Sequence, residues 1–252
     1  MLILSLSYTD SLLHLVFAVV ALLVGRRLPE HAGSQRPAWQ MTGLVFVIFS
    51  AVDMSQLAFG TVVFVLGPEH PLYGTYLRWA PIANHSRTLV VWSLYIVLAV
   101  LAFRGMAAWP RLRRVYPVLA VAMLVAGGMI GWVEGPFDAA RHLSNTSLMD
   151  VAGFLALSSL LFVLMLRDTV DRALWIALAC YGTSSVMSSL FLAAIAWINA
   201  GTWTPAPWIM EGSRVVFTTA MVTMAVWRLR RANRGAPLAG LLGTNRPRPL
   251  LA

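Results

Sequence analysis

Apolar residues run through this chain in long, nearly unbroken stretches, and the polar residues gather between them. The stretches fall at approximately 8–25, 41–66, 84–103, 115–133, 148–166, 173–198 and 206–227. Crossing a hydrocarbon core of about 30 Å takes about 20 residues of helix, so each stretch is long enough for one crossing. Inside lipid the backbone must satisfy its own hydrogen bonds, which makes each stretch a predicted helix. The expected fold is therefore all-α, a polytopic membrane protein built as a bundle of seven transmembrane helices.

The polar connections alternate in character. "GRRLPEHAGSQRP", "RGMAAWPRLRR", "RDTVDR" and everything after Arg228 hold most of the arginines. "GPEHPLYGTYLRWAP", "EGPFDAARHLSN" and "NAGTWTPAP" hold few and are rich in Pro, Gly and aromatics. Loops rich in arginine stay on the cytoplasmic side, so the N-terminus is expected outside and the C-terminus in the cytoplasm. The first stretch has no basic residue before it and Arg26–Arg27 after it, the reverse of a cleaved signal, so it is expected to be retained. Two regions follow: a seven-helix domain over 1–228 and a basic, Pro- and Gly-rich cytoplasmic tail over 229–252, expected to be disordered. The expected location is the cell membrane, with several passes.

Composition sharpens this picture. Charged residues make up 12% of the 252 positions, about half the usual share of a soluble domain. The net charge of +9 is carried by arginine alone, because the chain has no lysine. These arginines sit in short loops, where they set topology, and a nucleic-acid partner is not expected. Without lysine no retinal Schiff base can form, which excludes a light-driven pump of the usual seven-helix type. The one cysteine, Cys180, rules out an internal disulfide. No HExxH, cysteine cluster, GxSxG or phosphate-binding glycine loop occurs, and only His14 and His85 lie near membrane depth as haem ligands. No metal and no cofactor are expected.

Ionisable groups at membrane depth are costly, which makes each a candidate site. Asp53, in "SAVDMSQ", stands near the middle of the second stretch. Glu211 and Arg214, in "WIMEGSRVVF", are one helical turn apart near the outer end of the seventh. Glu134, in "VEGPF", closes the fourth, and His85 and Arg87, in "PIANHSRTLV", open the third from the outer side. Each has a plainer reading. Asp53 can pin helix packing, Glu211 and Arg214 can simply pair with each other, Glu134 can be a loop carboxylate, and His85 can be a helix-start residue. Most outer-side aromatics form an interfacial belt. Trp92, Trp132 and Trp197 fall within spans and are candidates to hold a cation over their ring faces. Gly127, Gly128 and Gly131 are expected to let helices approach closely.

Carboxyl groups in a dry, aromatic bundle suit one reaction class. Such a group can protonate an alkene or epoxide, and aromatic faces can stabilise the carbocation while water is excluded. In length, topology and acidic positions the chain resembles the small seven-helix integral-membrane terpene cyclases of meroterpenoid and indole-terpenoid biosynthesis. Those carry an acid in the second helix, here Asp53, and another before Gly-Ser in the seventh, here Glu211. A third precedes Gly-Pro after the fourth helix, here Glu134. The sequence departs from that pattern in having Asp for Glu after Val52, a long stretch from Gly67 to Pro81, and Arg214 close to Glu211. The resemblance implies an isomerase that cyclises a prenyl or epoxyprenyl chain, using Asp53, Glu211 and Glu134 as catalytic acids and bases. Because Arg214 is expected to hold Glu211 as a carboxylate, Asp53 becomes the expected proton donor. Trp92, Trp132, Trp197, His85 and Arg214 would line the substrate site. The implied partners are the lipid bilayer and a small isoprenoid substrate, with no obligate protein partner. A seven-helix sensor or binding module is the alternative, and a small-molecule transporter a third.

Overall fold

The computed structural model describes residues 2–29, 32–136, 152–153, 156, 171–198 and 206–241. Six α-helices account for nearly all of them: α1 (Leu2–Arg27), α2 (Gln35–Leu66), α3 (Pro71–Arg104), α4 (Trp109–Glu134), α5 (Arg172–Ile198) and α6 (Ala206–Leu241). Among the described residues, five of these helices, α1, α2, α3, α4 and α6, are long and apolar enough to cross a membrane. The predicted fifth span, 148–166, lies outside the described residues except at 152, 153 and 156.

Two boundaries differ from expectation. The stretch from Gly67 to Pro81 is mostly helix, because α3 begins at Pro71 rather than near residue 84. Pro71 occupies the first turn, where a missing N–H costs nothing, and the His70 imidazole caps the helix by accepting from the Leu72 N–H at 3.3 Å. Pro81 is carried inside α3, so a proline that read as a loop marker marks a helix interior. At the other end, α6 stays helical to Leu241, thirteen residues past Arg228, where the tail was expected to begin. Residues 242–252 lie outside the described set.

Neighbouring helices pack in the order α4, α3, α2, α1, α6, α5. On the side away from the bundle, α4 carries Val118, Val121, Val125, Met129 and Val133, all more than half exposed. Their spacing of three or four places them on one helix face. A continuous apolar stripe of this kind is unfavourable in water and natural against lipid.

The interior separates into two levels. Toward the arginine-rich ends, Trp39, Leu98, Leu101, Leu174, Leu178, Met221 and Ala225 form a closed apolar core. Asp171 seals that end just before α5. Its Oδ1 caps the helix through the Ala173 N–H at 3.0 Å, and its Oδ2 accepts from Trp39 Nε1 at 3.2 Å and from Arg228 Nε. One carboxylate thus ties α2, α5 and α6 together. Toward the other end the buried residues turn polar: Asp10, Ser11, His14, Asp53, Asn84, His85, Glu211 and Thr218.

Candidate functional site

The polar level is organised by two arginines. Arg87, on α3, donates from Nη1 to Asp53 on α2, and from Nε and Nη2 to the Asn84 side-chain oxygen at 3.1 and 2.7 Å. The other Asp53 oxygen accepts from Ser11 on α1. The guanidinium of Arg87 also lies 5.7 Å from the centre of the Phe49 ring, within range of a cation–π contact.

Arg214, on α6, bridges two carboxylates. Its Nη2 reaches Asp10 on α1 at 3.1 Å, and its Nη1 reaches Glu211 one turn back at 3.3 Å. Thr218 donates to the other Asp10 oxygen at 2.6 Å. His14, one turn along α1, lies 3.7 Å from the Asp10 carboxylate. Its Nδ1 is 3.0 Å from the Asp10 carbonyl oxygen, which can only accept, so Nδ1 carries a proton. The adjacent residues Asp10 and Ser11 join the two arginine systems into one buried cluster spanning α1, α2, α3 and α6.

Aromatic rings border this cluster. The His14 ring lies 5.9 Å from Phe46 and nearly parallel to it, 5.1 Å from Phe49 and 5.9 Å from Tyr181 on α5. Tyr181 meets Phe46 and Phe49 edge-on at 5.1 and 5.8 Å. Counting formal charges among the described residues, the cluster holds three carboxylates (Asp10, Asp53, Glu211) against two guanidiniums (Arg87, Arg214). Taken with a neutral His14, these side chains carry one negative charge in excess. In a low-dielectric interior that excess favours uptake of one proton or one cation, and the rings beside it favour a cation as well.

A second polar pair lies on the other flank of α3. His85 Nε2 bonds Glu134 at the end of α4, with both side chains almost fully buried. Two glycines one turn apart on α4 permit this. A Cβ on Gly127 would fall 2.6 Å from the His85 carbonyl oxygen, and one on Gly131 would fall 2.5 Å from Ile82 Cα. Gly128 differs, since its Cβ would meet nothing nearer than Ser86 Oγ at 3.6 Å. Gly135, at φ +86°, stops the helix directly after Glu134.

The structure therefore distributes the residues expected from sequence. Asp53, Glu211 and Arg214 join one cluster, while His85 and Glu134 form a separate pair. Trp92 is half-buried and shares a cavity of about 20 Å³, room for one water, with Thr88, Tyr95 and Tyr181. Tyr181 thereby connects Trp92 to the aromatic border of the cluster. Trp132 is 68% exposed, so its ring belongs to the surface of α4. Trp197 lies in the last turn of α5, and its side chain is outside the described residues.

Arg87, singled out with His85 at the start of the third stretch, joins the cluster, and Asp10, Ser11, His14, Tyr181 and Thr218 complete it without having been expected there. Asp10 carried a signal, an acid one turn from a histidine inside an apolar stretch. It stands two residues from the predicted start of that stretch. The helix begins at Leu2 instead, which places Asp10 about 12 Å along it. Among the described residues no group of three or more His, Cys, Asp or Glu side chains is arranged to hold a metal ion. Compared with known proteins, the chain matches no family model, no curated protein and no solved structure.

Proposed function

We propose that the protein is a seven-span enzyme of the cell membrane, N-terminus outside and tail in the cytoplasm, that cyclises an epoxyprenyl chain through a carbocation. The observation that carries this reading is the excess carboxylate beside aromatic rings in a buried cluster. A carbocation formed there is neutralised by the uncompensated charge of Asp10, Asp53 and Glu211 and faces the rings of Phe46, Phe49 and Tyr181. The topology draws its support from the arginines, because Arg26, Arg27, Arg104, Arg111 and Arg172 stand at helix ends on one side, and Arg228 reaches Asp171 at that same level from within α6.

The roles follow from charge pairing. Asp53 is set aside as proton donor on the same ground as Glu211, since Arg87 holds Asp53 as Arg214 holds Glu211. In this reading Asp53 steadies the cation and accepts the last proton, and the first is the one that the excess charge of the cluster takes up. That proton goes to the epoxide oxygen, the C–O bond breaks, and the tail alkene attacks the resulting carbon. Loss of a proton from the final cation ends the reaction, so substrate and product are isomers and no co-reactant is consumed. An epoxide suits this site better than a bare alkene, because opening it does not require an acid strong enough to protonate carbon.

The test is to incubate membranes containing the full chain with prenylated and epoxyprenylated aromatic compounds. A cyclised isomer should form from the epoxide and be lost with Asp53→Asn. Absence of conversion, or products unchanged in Asp53→Asn, overturns the reading. The same cluster also favours a second reading, recognition of a ready-made organic cation without chemistry. Saturable stabilisation by a quaternary ammonium compound, with no isomerisation of any prenyl substrate, would establish it.

A further inference from the structure

At the arginine-rich end, a cavity of about 460 Å³ opens between the starts of α2 and α5 and the far part of α6. Gln35, Asp171, Arg172, Trp227, Arg228 and Arg231 line it. Its walls are built rather than incidental. Asp171 is buried and holds Arg228 through Nε, while the same carboxylate is anchored by Trp39 and the start of α5. Arg231 lies 5.5 Å from the centre of the Trp227 ring, which fixes its guanidinium at the rim. Three guanidiniums face one carboxylate in this set, leaving two positive charges. Gln35 and Arg172 stand in the first turns of their helices, and Trp227 is 48% exposed where the apolar part of α6 gives way to arginines. A half-exposed tryptophan beside arginines at such a boundary is the usual furniture of a lipid headgroup level.

We propose that this cavity binds the phosphate headgroup of an anionic phospholipid from the leaflet on the arginine-rich side. Arg172 and Arg231 supply the charge, Arg228 is held in place by Asp171, and Trp227 packs against the glycerol and upper acyl region. A soluble phosphate shares the chemistry of the headgroup, but the position of Trp227 at the membrane boundary favours the lipid. This site is independent of the cluster around Asp10 and Asp53, so the cyclase reading and the lipid site stand or fall separately.

The full chain, purified in detergent, is titrated with short-chain phosphatidylglycerol, short-chain phosphatidylcholine and inorganic phosphate, with occupancy read by native mass spectrometry. Phosphatidylglycerol should bind saturably in preference to phosphatidylcholine. Arg172→Gln and Arg231→Gln should each weaken it by about fivefold, while Arg113→Gln, an exposed arginine on α4, should not. The three positions are exposed, so none of the variants threatens folding. Unchanged affinity in Arg172→Gln and Arg231→Gln, or equal binding of the two lipids, overturns the site. Inorganic phosphate binding as tightly as phosphatidylglycerol overturns the lipid assignment.

Discussion

Arg214 on α6 reaches Asp10 on α1 at 3.1 Å while holding Glu211, one turn back on its own helix, at 3.3 Å. The contact with Glu211 is local, whereas the contact with Asp10 joins residues from opposite ends of the chain. Through it the first and last described helices share one buried charge system, which Asp10 and Ser11 extend to Asp53 and Arg87.

Removing that bridge should be costly. Arg214→Gln leaves two buried carboxylates without their cation, and breaking a buried pair from one side typically costs about 3–5 kcal/mol. Thermal unfolding in nanodiscs should therefore give a much lower midpoint, partly restored in the double variant Asp10→Asn with Arg214→Gln. An unchanged midpoint in the single variant would mean the bridge contributes nothing.

Thr218 and Thr219 form a natural contrast. Thr218 is buried and donates to Asp10 at 2.6 Å, whereas the hydroxyl of the exposed Thr219 donates to the Val215 carbonyl of its own helix. Thr218→Val removes a hydrogen bond to a charged group, worth about 1.5–3 kcal/mol, and should lower the unfolding midpoint. Thr219→Val should leave it in place. Equal effects at the two positions would contradict the assignment of Thr218 to the cluster.

On α4 the three glycines should separate by position. Gly127→Ala and Gly131→Ala force α3 and α4 apart, because the new Cβ would meet backbone at 2.6 and 2.5 Å, with an overpacking cost of about 1–3 kcal/mol. Gly128→Ala meets only ordinary contact and should be tolerated or mildly stabilising. Measuring the three melting midpoints side by side checks this ordering. If Gly128→Ala proves as damaging as the other two, the close crossing at Gly127 and Gly131 is not what seats His85 against Glu134.

Topology can be read by labelling. In a Cys180→Ala background, Tyr73→Cys at the start of α3 and Ala107→Cys between α3 and α4 should react with a membrane-impermeant maleimide from opposite sides. The first should label in intact cells and the second only after permeabilisation. Labelling of both from the same side would remove α3 as a membrane crossing.

Much of the fold was legible because lipid imposes a simple rule on sequence. Apolar stretches long enough to span must be helices, and the stretches at 8–25, 41–66, 115–133 and 173–198 each fall inside a helix of the structure. Punctuation by proline was less reliable. Pro81 suggested a loop, yet α3 runs through it, as helices suited to lipid commonly run through proline. The arginines after Arg228 suggested a tail, but a helix does not stop merely because its residues leave the apolar level. Arginine is a good helix former, and α6 continues to Leu241.

For the candidate site, residue type and depth were enough to single out Asp53, Glu211, Arg214, Glu134 and His85. Residue order alone requires that these buried charges be answered by partners, because an isolated charge in low dielectric is too costly to keep. Which partners answer them depends on helix rotation and neighbour order, and these are fixed by packing across segments far apart in the chain. Packing between distant segments gave Asp53 both Arg87 and the hydroxyl of Ser11, gave Arg214 a second carboxylate in Asp10, and turned His85 toward Glu134 across the crossing at Gly127 and Gly131.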